Sequence, residues 1–216
     1  MSVYYKLVLS RLEKFGVLLE SDHCLPNVCT LVTGEAMRGS WWSHPLAQQI
    51  FAVNEQLEDN PDVLITKLIS GKVTFVHRQL WRPLSMIGKA REEWQMENLS
   101  APARRLLTQL DKVGSLTTNE LGASLGAKPG DVARDLEKRL LIRAEQFHTA
   151  SGAHSKLLET WETWAKRVGF RAAPLSPATA KKRIELRLEE LNEEFGGDGK
   201  LPWQKAKSRV AKILKD

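Results

Sequence analysis

The stretch from Ser100 to Gly152 narrows what this chain can fold into more than any other. Apolar residues there fall at helical spacing three times in quick succession, then give way to an extended run. Ser100 stands at a helix N-cap, Leu106, Leu107, Leu110 and Val113 stripe the helix it opens, and Gly114 ends it. Thr117-Thr118-Asn119-Glu120 has the capping-box pattern, in which a threonine hydroxyl and a glutamate carboxylate each satisfy an open amide. The short helix behind it stops at Gly126. Pro129 opens a third helix with Val132, Leu136 and Leu140 inward, Leu141–Phe147 is extended, and Thr149–Gly152 makes a turn.

The same order appears earlier in the chain. Tyr4, Val8, Leu12 and Phe15 stripe a helix over 2–15 that Gly16 closes, and Val17-Leu18-Leu19 is a short extended piece. A second helix starts at Pro26 and stops at Gly34. After the loop EAMRGSWW, Ser43 or His44 caps a third helix that begins at Pro45 and buries Leu46, Ile50, Val53 and Leu57. Val63–Ile69 and Val73–His77 flank Ser70-Gly71-Lys72 as a hairpin, and a linking helix runs over Pro83–Trp94. Beyond the second unit, 154–169 returns to helical spacing through Leu157, Leu158, Trp161, Trp164 and Val168. RAAPLSPAT is a linker, and Ile184, Leu188, Leu191 and Phe195 stripe a further helix stopped by Gly196-Gly197. A basic amphipathic helix is expected from Pro202 onward.

Helix, helix, helix, hairpin is the order of the winged helix-turn-helix superfamily. The string LLTQLDKVGSLTTNELGASLGAKPGDVARDLEKRLLI resembles it closely, and residues 1–96 resemble it in element order. The expected fold is mainly α with short β-hairpins: tandem winged-helix domains plus C-terminal helices. The units are 1–96 with its linking helix, 97–170, and a linker with a basic helical tail over 171–216. The chain also resembles, in architecture, the bacterial tandem winged-helix DNA glycosylases, which remove alkylated or crosslinked bases. Those enzymes carry Gln-x-Gln or Gln-x-Asp near the start of the chain; the nearest string here is Gln95-Met96-Glu97, late and ending in Glu.

Composition restricts the class of function. The chain has 216 residues, 42% of them hydrophobic, which suits folded soluble domains, and no apolar run reaches the ~18–20 residues of a membrane span. Two cysteines, Cys24 and Cys29, make no disulfide framework and point to a reducing, cytoplasmic and nucleoid-associated location. Net charge is +6; residues 1–96 are balanced, and most of the excess lies after residue 170. Double-stranded DNA, damaged or abasic, is therefore the expected partner. Cys24, Cys29 and His23 are too sparse for zinc, and His148 and His154 lack a third ligand, so neither a metal nor a cofactor is expected. Gly-rich phosphate loops, GxSxG and HExxH are missing.

Winged helices usually offer their third helix to a major groove. In the second unit that helix shows Lys128, Arg134, Lys138 and Arg139, with Asp131 and Asp135 among them. In the first it shows Gln48 and Gln49, amides able to read adenine. Trp41 and Trp42 either stack on an opened base pair or plug an interface. Arg78 and Lys72 lie on the hairpin for phosphates, as do Lys205, Lys207 and Arg209 in the tail. Catalytic candidates are His44 as a base and Lys67 or Lys72 as an amine nucleophile. Three functions fit: a repair or processing protein of glycosylase or abasic-lyase type, a sequence-specific transcription regulator, and a protein-interaction scaffold.

Overall fold

A computed structural model describes residues 2–37, 39–121, 125–148 and 154–204. The first unit runs α1 (Val3–Phe15), β1 (Val17–Leu19), α2 (Val28–Thr33), α3 (Ala47–Glu58), β2 (Val63–Thr66) and β3 (Thr74–His77). Two linking helices follow, α4 (Trp81–Ala90) and α5 (Glu93–Met96). The second unit repeats the order as α6 (Ala101–Val113), β4 (Ser115–Thr117), α7 (Thr118–Leu121), α8 (Pro129–Lys138), β5 (Arg143–His148) and β6 (His154–Glu159). The chain then forms α9 (Trp161–Arg167) and α10 (Pro177–Phe195). Each unit holds a three-stranded antiparallel sheet in which the last strand is central: β1-β3-β2, then β4-β6-β5. The fold is mainly helical, two winged helices in tandem with C-terminal helices.

Local chemistry sets the ends of these elements. The Ser2 hydroxyl accepts from Tyr5 N and the Ser100 hydroxyl from Ala103 N, each filling an open amide of the first turn. Gly16 ends α1 with φ 77°, a left-handed conformation that L side chains adopt at a cost. The capping box at Thr117 forms as expected, with Thr117 N donating to the Glu120 carboxylate at 2.5 Å and Glu120 N to the Thr117 hydroxyl at 3.4 Å.

Four local expectations need correction. Residues 154–159 are strand, not helix: Leu157 and Leu158 fit a helical stripe with Trp161 and Trp164. However, the second sheet takes this segment as its central strand, paired with both β4 and β5. The linking helix is broken at Arg91, whose φ is 50° and whose guanidinium pairs with Asp111. Neither Ser43 nor His44 is the N-cap of α3; Leu46 holds that place, and His44 Nδ1 accepts from Leu46 N at 3.1 Å. Val113 is 56% exposed at the end of α6 instead of inward. The turn expected over Thr149–Gly152 and the tail helix with Lys205, Lys207 and Arg209 lie outside the described residues.

Two cores form. The second sheet packs with α6 and α8 through Leu106, Leu110, Leu136 and Leu158. The first sheet's core runs from Val8 to Ile87 and is completed by distant residues: Leu140, Trp161, Trp164, Ile184, Leu188 and Leu201. At its centre Trp161 is 2% exposed, donates from Nε1 to the Leu140 carbonyl at 2.7 Å, and packs closely against α4 at Gly88. A Cβ on Gly88 would sit 2.1 Å from Trp161 Nε1. Trp164 packs edge-on to both Trp161 and Trp81, at 5.6 and 5.1 Å between ring centroids. Arg143 of β5, buried over the Trp164 ring, donates to the Ile65 carbonyl of β2. Among the described residues, no helix is long and apolar enough to cross a membrane.

Gly88→Ala should lower stability by about 1–3 kcal/mol through overpacking, seen as a fall of several degrees in Tm. Gly130→Ala, with nothing within 4 Å of the added methyl, should leave Tm unchanged or slightly raised.

Candidate nucleic-acid interface

The best-defined polar site lies where β1 ends. Val17, Leu18 and Leu19 are buried, so the chain must leave the core at Glu20. Glu20 is held on both backbone sides: its N–H donates to the Val73 carbonyl at 3.0 Å, and its carbonyl accepts from Cys29 N at 3.1 Å. The next turn closes on Asp22. Its Oδ1 accepts from Cys24 N and Leu25 N, each at 2.9 Å, and its Oδ2 takes the Lys72 ammonium at 2.6 Å. Asn27 locks the other side of the loop, donating to the Asp22 and Leu25 carbonyls while its Oδ1 caps α2 at Thr30 N.

These two carboxyls, separated only by Ser21, are driven apart in acidity. Burial raises the Glu20 pKa, and a hydrogen bond from the Trp41 side chain and the charge of Lys67 oppose the rise without cancelling it. Asn54 Nδ2 also reaches Glu20 Oε1, at 3.5 Å. Burial also acts to raise Asp22, but Lys72 and the two backbone amides outweigh it and hold this carboxyl below the ordinary range. The two carboxyls are therefore shifted in opposite directions.

Aromatic rings lead from this site to the surface. Trp41 is 8% exposed and stacks on Trp42 with ring centroids 4.0 Å apart; Trp42 is 63% exposed and packs on Phe51 of α3. Gln48 and Gln49 are exposed on α3 next to this ladder. The far end of α3 has Glu55, Glu58 and Asp59, and the helix contains no Lys or Arg. Glu58 is raised by burial and then by Glu55, Asp59, Glu20 and Glu145. Phosphates are repelled there, so only the aromatic, amide-bearing end of α3 can face a nucleic acid.

The remaining candidates are distributed as follows. Lys67 is half-buried and electrostatically favours the ionised forms of both Glu20 and Glu137, a buried acid of α8 whose pKa is raised by burial against Lys156, Lys67, Arg143 and Arg134. Lys72 Nζ lies 2.6 Å from Asp22 Oδ2. His44 Nε2 lies 3.5 Å from Glu35. Arg78 pairs with Asp62 at 2.6 Å. On α8, Lys128 and Lys138 are exposed and Arg134 pairs with Asp131 at 3.2 Å. Arg139 is spent internally, on Asp135 and on the carbonyls of Trp94, Gln95 and Glu97. The structure thus brings Trp41, Lys67 and Lys72 together around Glu20 and Asp22, and it leaves the α8 cations elsewhere. Among the described residues, no three His, Cys, Asp or Glu are grouped to hold a metal ion.

Glu20 and Asp22 escaped the sequence reading, though a signal existed. Glu20-Ser21-Asp22 keeps the spacing of Gln-x-Asp near the start of the chain, with Glu for Gln. The string Gln95-Met96-Glu97 has another duty: Gln95 is fully buried, completes a capping box with Glu92 and donates to the Arg139 carbonyl.

Trp41→Phe should move the Glu20 pKa further up, since the indole donor favours the ionised form; a side-chain carboxyl NMR titration reads this directly. Glu137 is raised above the ordinary 4.5, so its contribution to stability is present below that value and fades as pH rises through the raised one. Glu137→Gln should therefore gain Tm relative to wild type at pH 7–8, and the gain should vanish near pH 4.

A family model described as AlkZ related fits residues 4–196. AlkZ is a tandem winged-helix DNA glycosylase. Neither the curated proteins nor the solved structures include a match.

Proposed function

We propose, from the premise that this chain belongs to the AlkZ-related family, that it is a duplex-DNA repair protein that hydrolyses the N-glycosidic bond of a damaged nucleotide. The observation that carries the reading is the split in acidity between Glu20 and Asp22. Hydrolysis breaks the bond from C1′ to the base nitrogen and forms a bond from C1′ to a water oxygen. Glu20 acts through its acid form, giving a proton to the departing base and taking back the one lost by the attacking water, so the acid form is restored at each turnover. Asp22 stays ionised and stabilises the positive charge that develops on the sugar, while Lys72 and the Cys24 and Leu25 amides fix its position.

Trp42 and Phe51 suit the cost of exposing such a base. Extruding a nucleotide from a duplex costs a few kcal/mol, and stacking on an exposed aromatic ring returns about 1–3 kcal/mol per base. Glu20 lies beneath the same ladder, hydrogen-bonded to Trp41. A second reading is favoured by the exposed amides of Gln48 and Gln49 on α3: a regulator that prefers one intact sequence.

The test compares three duplexes of one sequence: intact, with a single N7-methylpurine, and with a single abasic site. Wild type should release the methylated base, revealed as alkali-labile strand scission. Glu20→Ala should keep its affinity in fluorescence anisotropy and lose at least ~100-fold in release rate, the lower range of general acid–base contributions. Equal binding to all three duplexes with no release, and selection of one intact sequence from a random pool, would replace repair by regulation.

A further inference from the structure

A second concave site lies away from Glu20, at the contact between the two winged helices. The hairpin tip of the first, at Ser70-Gly71, meets the C-terminal end of α8 in the second, and the segment Lys200–Pro202 closes the third side around a cleft of about 490 Å³. The contact is close: a Cβ on Gly71 would lie 3.5 Å from Lys138 Cε. Ser70 N–H donates to the Lys200 carbonyl at 2.7 Å and Lys200 N–H to the Ser70 hydroxyl at 3.2 Å, so the rim is fastened across 130 residues of sequence.

The lining has one sign of charge left over. Lys138, Arg139 and Lys200 face the cleft, and the single acid there, Asp135, is already bound by Arg139 at 3.1 Å. Lys138 and Lys200 are both exposed, and neither ammonium has a carboxylate partner among the described residues. Trp94 supplies the apolar wall, anchored through Nε1 to Glu92 and backed by Trp203. Two free cations beside an indole match an anion attached to a flat ring.

We propose that this cleft binds a phosphorylated nucleotide, its phosphate on Lys138 and Lys200 and its base against Trp94. The site is independent of the Glu20 chemistry and stands whether or not a glycosidic bond is broken. The nucleotide comes either from solution or from the unpaired end of a DNA strand, since both present the same phosphate and base. The last turn of α8 meets the first unit's hairpin here.

Calorimetric titrations of the full chain decide the matter, with a deoxynucleoside 5′-monophosphate, inorganic phosphate, a blunt duplex and the same duplex with a short 5′ overhang. The monophosphate or the overhang should bind, and whichever is tighter identifies the source. Lys138→Gln with Lys200→Gln should weaken that binding at least ~10-fold and reduce the log–log salt slope on the overhang by about 1.4, two cations at about 0.7 each. Glu20→Gln should bind the monophosphate as wild type does. Binding unchanged in the double variant overturns the proposal, as does equal affinity for inorganic phosphate, which would leave Trp94 no part. Failure of every nucleotide probe to bind at low salt also overturns it, whatever the base-release assay reports.

Discussion

The contact of the Trp161 indole with the bare backbone at Gly88 is the constraint on which the arrangement of the two winged helices depends. Trp161 begins the helix that follows the second sheet, yet it is buried in the core of the first. Its ring can lie against α4 only because residue 88 has no side chain. Close packing then carries the effect outward through Trp164, Trp81 and Phe170. The indole N–H needs an acceptor in that apolar setting, and the Leu140 carbonyl is aimed at it by a residue whose own φ is 55°. A strained turn after α8 and a glycine in α4 thus serve one tryptophan.

That fixed arrangement also couples charges across the junction. Lys67 acts on Glu20 from its own unit and on Glu137 across the junction, while Glu145 of β5 adds to the acids that raise Glu58. The acidity of one first-unit carboxyl, Glu58, is therefore set in part by a residue of the second. Family membership points toward DNA repair, although the last turn of the first unit's third helix is acidic.

Much of the architecture was readable from sequence because it rests on local signals: Gly16, Gly34 and Gly114 as stops, Ser100 and Thr117 as caps, and the period change at Val63. The failures share a cause. Residues 154–159 have the spacing of a helix, and only pairing with strands remote in sequence makes them the central strand. Half of the site was legible, since Trp41, Lys67 and Lys72 do gather, but Glu20 and Asp22 were not. A carboxylate after a short apolar strand is an ordinary surface residue until the loop of Asn27, the Trp41 indole and Lys67 surround it. The internal partners of Arg139 were equally hidden, because a cation on an outward helical position discloses nothing of the carbonyls it faces.

The return of the chain to its own beginning bears on how the protein is made. The first core holds Val8 and Leu12 together with Ile184, Leu188 and Leu201. A ribosome delivers the first of these long before the last. The amino-terminal winged helix must therefore wait, with its α4 face uncovered, until Leu201 has emerged, whereas the second unit's core spans only Leu99 to Leu158 and can close as soon as that stretch is free. Order of synthesis and order of completion are reversed, and the half with the catalytic candidates is the one finished last.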